Sequence, residues 1–118
     1  MSDKFIALAT KEINDEISGI ETILSSCKND DDVNQNSSQL QRHTHKIKGL
    51  APMMGKGELG DLSSQLDTIL KKIIEGKQVQ GIFDIFIESL SQMKNSMIEP
   101  NHNLSQINNK IKHILLDL

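Results

Sequence analysis

Tryptophan and tyrosine are absent from this sequence, and three phenylalanines are its only aromatic side chains. A platform for stacking nucleic-acid bases needs more than that. There is no basic excess either: 13 Lys and Arg against 16 Asp and Glu give a formal charge of −3. A protein that grips a phosphate backbone carries the opposite balance, so nucleic acid is not an expected partner. The single cysteine, Cys27, can form no internal disulfide and anchor no cysteine metal site. Its place on an apolar stripe marks it as a small buried hydrophobe.

Long apolar runs are missing as well, and none approaches the roughly 18 residues of a membrane span. The start, Met1-Ser2-Asp3-Lys4, lacks the basic and apolar stretches of a secretory signal, so a cytoplasmic location without membrane contact is expected. No glycine-rich phosphate loop, serine nucleophile elbow or His-Glu-x-x-His zinc helix occurs. An independent enzyme is not expected.

What the sequence does have is helical periodicity. With 118 residues, 36% of them hydrophobic and 25% charged, it has the size and composition of one globular domain over 1–118. Apolar residues recur at steps of three and four, which predicts five amphipathic helices. The first carries Ile6, Ala9, Ile13, Ile17, Ile20, Leu24 and Cys27 and stops in Asn29-Asp30-Asp31-Asp32, a run suited to a loop or a cap. The second carries Leu40, Thr44, Ile47, Ala51 and Met54, starts between about 33 and 38, and ends at Gly55, with Ser38 and Gln41 as a capping box. The third carries Leu59, Leu62, Leu66, Ile69 and Ile73 up to Gly76, and the fourth carries Phe83, Phe86, Leu90, Met93 and Met97 and ends before Pro100. The fifth runs from about Asn103 with Leu104, Ile107, Ile111, Ile114 and Leu118. Short connections favour an all-α, up-and-down antiparallel four-helix bundle with the fifth, C-terminal helix packed alongside.

The second helix departs from a generic bundle. At roughly 100° per residue, its stripe defines a core direction, and His45 lies about 140° away from it, facing water. Lys48, Gly49 and Pro52 follow on that outward side, whereas His43, about 60° from the core direction, reads as a packed boundary residue. Gly costs a helix interior roughly 1 kcal/mol and Pro about 3. One account is that the bare backbone at Gly49 lets another protein approach the imidazole, with Lys48 supplying charge to a phosphoryl group. The other is that Gly49 touches a neighbouring helix and Pro52 marks a kink or an early end. His102, in the turn after Pro100, and His113, off the fifth stripe, read as solvated. A metal site built from His43, His45 and Asp67 is disfavoured, because residues two apart point to different sides of a helix.

The run His45-Lys46-Ile47-Lys48-Gly49-Leu50-Ala51-Pro52-Met53-Met54-Gly55 resembles the phosphorylation motif of the histidine phosphotransfer (HPt) domain of the chemotaxis kinase CheA. There an acceptor His is followed by x-x-Lys-Gly, small and apolar residues, and Met-Gly. Leu59 to Asp67 is similar to that family's third helix and Phe83 to Leu90 to its fourth, so the resemblance extends over nearly the whole chain.

The resemblance implies a phosphocarrier. A CheA ATP-binding kinase domain would phosphorylate Nε2 of His45, and the group would pass to an aspartate of a CheY-like response regulator. ATP and Mg²⁺ would act at the partner domains and no cofactor would be bound here. Imidazole is the side chain whose neutral, nucleophilic form is available near neutral pH. In the family a third-helix Glu accepts a hydrogen bond from the other ring nitrogen; the matching position is Asp67, one methylene shorter, whose alternative reading is a solvated helix charge. Ser64 stands where the chemotaxis domains commonly carry another His. Two alternatives compete: an HPt module of a multistep phosphorelay, fed by a receiver domain, and a helical adaptor that never takes up phosphate. Because the apolar stripes are consumed within one bundle, a monomer is expected. Sedimentation should show one 13.2 kDa species, and a stable dimer with a large apolar interface would overturn that expectation.

Overall fold

The computed structural model describes residues 2–118, and among these it is all-helical, with six α-helices and no strand. They are α1 (Asp3–Ser25), α2 (Asp30–Gln35), α3 (Ser37–Leu50), α4 (Gly57–Ile74), α5 (Ile82–Ile98) and α6 (Ser105–Leu116), with a 3₁₀ turn at Pro52–Met54. None is long and apolar enough to cross a membrane.

The sixth helix, α2, forms where the sequence reading put a loop or a cap. Only Val33 of its six residues is buried, so no apolar stripe announces it. Local electrostatics build it instead: Asn29 caps the start by accepting from the Asp32 N–H, and Asp30, Asp31 and Asp32 lie at the positive end of the helix dipole. Asp30 then reaches across the chain, its carboxylate accepting from the backbone N–H groups of Gly81 and Phe83, both at 2.9 Å. The same acidic run thereby caps α5, which would otherwise begin at Gly81 without a side-chain cap.

The capping box expected from Ser38 and Gln41 does not form. The helix opens at Ser37, within the expected 33–38 range but two residues before the Gln39 start that a Ser38 cap implies; Asn36 at its N-cap makes no side-chain cap, and Gln41 points elsewhere. Its far end is also earlier than expected, since the α-helix stops at Leu50 and the chain tightens into the 3₁₀ turn before Gly55 takes a φ of 73°. Pro52 opens that turn, where a missing N–H costs nothing.

Helix α3 lies antiparallel to α4. His45 faces Asp67, and seven residues further along Pro52 lies against Gly60, seven residues earlier on α4. On its other flank α3 meets α1 through His43 against Glu16 and Gly19, and the 3₁₀ turn that follows reaches α1 through Met54 near Thr10. An ion pair between Glu21 and Lys94 joins α1 to α5, while Gln65 to Asn108 and Glu58 to Leu104 join α4 to the start of α6.

The stripes converge as expected on a core of Ile13, Ile17, Ile20, Leu40, Ile47, Leu62, Leu66, Phe86, Met93, Ile107 and Ile111. Ile6 is a correction: it is 40% exposed, because the first two turns of α1 extend past the helices that would cover them. Cys27 is buried, and desolvation, followed by the charge of Asp32, pushes its thiol above the ordinary range, as suits a packing residue.

Gly60 and Gly49 answer different steric demands. A Cβ at Gly60 would stand 2.9 Å from Pro52 Cγ, against a ring that cannot rotate away, whereas a Cβ at Gly49 meets nothing within 4 Å. Gly60→Ala should therefore cost about 1–3 kcal/mol in chemical denaturation through overpacking. Gly49→Ala should add up to about 1 kcal/mol of helix propensity. A Gly60→Ala protein as stable as the parent would disprove the close contact.

Candidate functional site

The outward face of α3 and the inward flank of α4 meet at one carboxylate. Asp67 lies on the α4 line that also holds Gly60 and Ser63, and its side chain is 1% exposed. The reading of Asp67 as a solvated charge therefore fails. An ionised group taken out of water must be compensated by nearby donors or cations. Here four side chains from two helices surround it.

Gln41 Nε2 donates to Asp67 Oδ1 at 2.6 Å. His45 Nδ1 stands 3.8 Å from the same oxygen, beyond hydrogen-bonding range. On the other oxygen, Lys71 Nζ lies at 3.3 Å and Lys48 Nζ at 3.6 Å, yet Oδ2 makes no hydrogen bond of good geometry. Charge attraction holds these ammonium groups near it while their exposed tips remain partly hydrated.

His45 is 61% exposed, so the ring stands out from the helix as its angular position requires. With Nδ1 turned toward Asp67, Nε2 on the opposite edge of the ring is the nitrogen left for an incoming group. Beyond it along α3, Gly49 is exposed and has open space over its backbone, which removes the reading in which it packs on a neighbouring helix. Pro52, exposed on one side, lies over Gly60 on the other, so it does mark an early end of the helix. An exposed face thus runs from His45 past Gly49.

The second imidazole of α3 is built quite differently. His43 Nδ1 is 2.7 Å from Glu16 Oε1, and the ring lies so close over Gly19 that a Cβ there would be 2.4 Å from its Cε1. Lys46 approaches the same carboxylate at 3.6 Å. His43 is thus the packed boundary residue that periodicity indicates, tying α3 to α1. His113 is exposed as expected, but His102 is half-buried with Nε2 2.7 Å from Gln92 Oε1, so the solvated reading of His102 is corrected. Among the described residues, no group of three or more His, Cys, Asp or Glu converges as a metal site would.

Two members of the Asp67 cluster escaped the sequence reading. Lys71 lies four residues after Asp67 on α4, the spacing of a helix ion pair, and that signal was available. Gln41 lies one turn before His45 on the same face, but its pairing with Ser38 in a local pattern hid the longer reach.

A family model described as the Hpt domain matches residues 4–99, from the start of α1 to just past the end of α5. No curated protein and no solved structure matches the chain.

Proposed function

The chain belongs to the Hpt domain family, whose members carry phosphoryl groups between signalling proteins of two-component and phosphorelay systems, and we propose that His45 is its phosphoacceptor in a chemotaxis pathway. The observation that carries this reading is the exposed His45 ring with Nδ1 turned toward the buried carboxylate of Asp67.

In the proposed cycle, the Nε2 lone pair of His45 attacks the γ-phosphorus of ATP held by a CheA kinase domain. The bond from that phosphorus to the bridging oxygen breaks, ADP leaves, and the proton on Nδ1 stays with the ring. An aspartate oxygen of a CheY-like response regulator then attacks the phosphorus, the N–P bond breaks, and neutral imidazole is restored. Mg²⁺ at the partner sites neutralises the phosphate oxygens. This chain contributes a nucleophile, the Asp67 carboxylate toward which its Nδ1 edge is turned, and the positive charge of Lys48. Gly49 and Pro52 leave room for the partner's surface. The antiparallel helices α1, α3, α4 and α5 form the bundle that carries this face, with α6 alongside, as a single monomeric domain. A cytoplasmic setting follows from ATP as phosphoryl source.

The decisive experiment is incubation with a CheA catalytic domain, ATP and Mg²⁺. Acid-labile, base-stable label should appear on the native chain and vanish in His45→Gln, whose helix content should be unchanged because the ring contributes nothing to the core. Label surviving in His45→Gln would sink the assignment. Transfer only from a phosphorylated receiver domain would move the chain to a multistep phosphorelay.

Asp67 gives a second test. Its Oδ1 falls short of a hydrogen bond to Nδ1 by roughly 1 Å, less than one methylene. Asp67→Glu should close that gap and raise the phosphorylation rate about two- to threefold, part of the worth of one net hydrogen bond. A lower rate would show that the buried pocket cannot take the extra methylene.

A further inference from the structure

Helix α3 presents two side chains, one turn apart, to the same oxygen. Gln41 and His45 both face Asp67 Oδ1, and their Cα atoms are separated by about 6 Å along the helix. Asp67 has a single methylene between backbone and carboxylate, and its Cα is fixed in the middle of α4, so the oxygen cannot travel far between them. The oxygen lies with Gln41 at 2.6 Å, a charge-assisted bond in a site with 1% exposure, and leaves His45 at 3.8 Å.

We propose that Gln41 is a positioning residue for the phosphoacceptor: its amide holds the Asp67 carboxylate and withholds it from His45 Nδ1. The proposal rests on the reading of His45 and Asp67 given above and adds a residue to it. While Gln41 is engaged, Nδ1 has no carboxylate to fix its proton, and the neutral ring divides between its two tautomers. Only the form with the proton on Nδ1 offers an Nε2 lone pair to the phosphoryl donor. When the amide swings away, Oδ1 is free to accept from Nδ1–H and selects the reactive tautomer. Gln41 is half-buried, so part of its side chain reaches solvent, where its amide can exchange Asp67 for water.

The neighbouring cations do not duplicate this role. Lys48 and Lys71 both lie against Oδ2, and they reduce the charge of the carboxylate without occupying the oxygen that faces the imidazole.

The test is Gln41→Met, which keeps the length of the side chain and removes the donor, read by imidazole ¹⁵N shifts of His45 and by the rate of phosphorylation. The shifts should move toward the Nδ1–H tautomer, and the rate should rise about 3- to 10-fold, the worth of one net hydrogen bond. Gln41→Asn, whose shorter amide cannot reach Asp67, should act in the same direction, and it replaces the first variant if methionine disturbs the packing. In an Asp67→Ala background, neither change should have any effect on tautomer or rate. A lower rate in Gln41→Met, or shifts that do not move, would mean that the amide merely anchors Asp67 and would overturn the proposal. An effect that persists without Asp67 would overturn it as well. If the native chain takes no label while the shifts move as expected, the phosphocarrier reading fails and the hold of Gln41 on Asp67 stands.

Discussion

A carboxylate removed from water between two helices dictates much of what surrounds it. Asp67 costs several kcal/mol to bury as an ion unless donors and cations meet it, and its position in mid-α4 leaves α3 as the main source. Gln41, His45 and Lys48 come from α3 and Lys71 from one turn further along α4. These groups add to the apolar stripes in fixing how α3 and α4 sit against each other. A one-residue slip would carry the donors off the carboxylate and bury it alone. The face that a partner must read is therefore a by-product of the demand that one buried charge be satisfied.

The two imidazoles of α3 show how neighbouring residues come to differ. His43 and His45 are two positions apart on one helix, yet His43 is closed between Glu16 and Gly19 while His45 stands free. Exposure separates them more than chemistry does. A carboxylate lies near each Nδ1, but only at His45 is the opposite nitrogen unobstructed on an outward face.

Much of this was legible in the sequence. The three-and-four spacing fixed the helix faces closely enough to put His45 outward, His43 at a boundary and Asp67 on the flank toward α3. Elements held by polar contacts were not legible. Helix α2 buries a single Val33 and exists because Asn29 and three aspartates favour a helix start. Gln41 was misread because a local pattern with Ser38 competes, on paper, with a partner 26 residues away. Periodicity reports which side of a helix is apolar; it is silent on which polar groups find each other across helices. The covered α1 surface was overestimated at Ile6 for a related reason, since a stripe does not reveal how far its neighbours extend.

The bond from Asp30 to the start of α5 closes a loop of about fifty residues that contains α3 and α4. Closing a flexible loop of that length is entropically costly, and the cost falls as the intervening chain shortens. Once α3 and α4 have paired as a hairpin, the effective loop is much smaller, and the clasp closes at little further cost. The clasp is therefore coupled to the helix pair that bears His45 and Asp67: parting α3 from α4 restores the long loop and raises the cost of holding Asp30 on the start of α5.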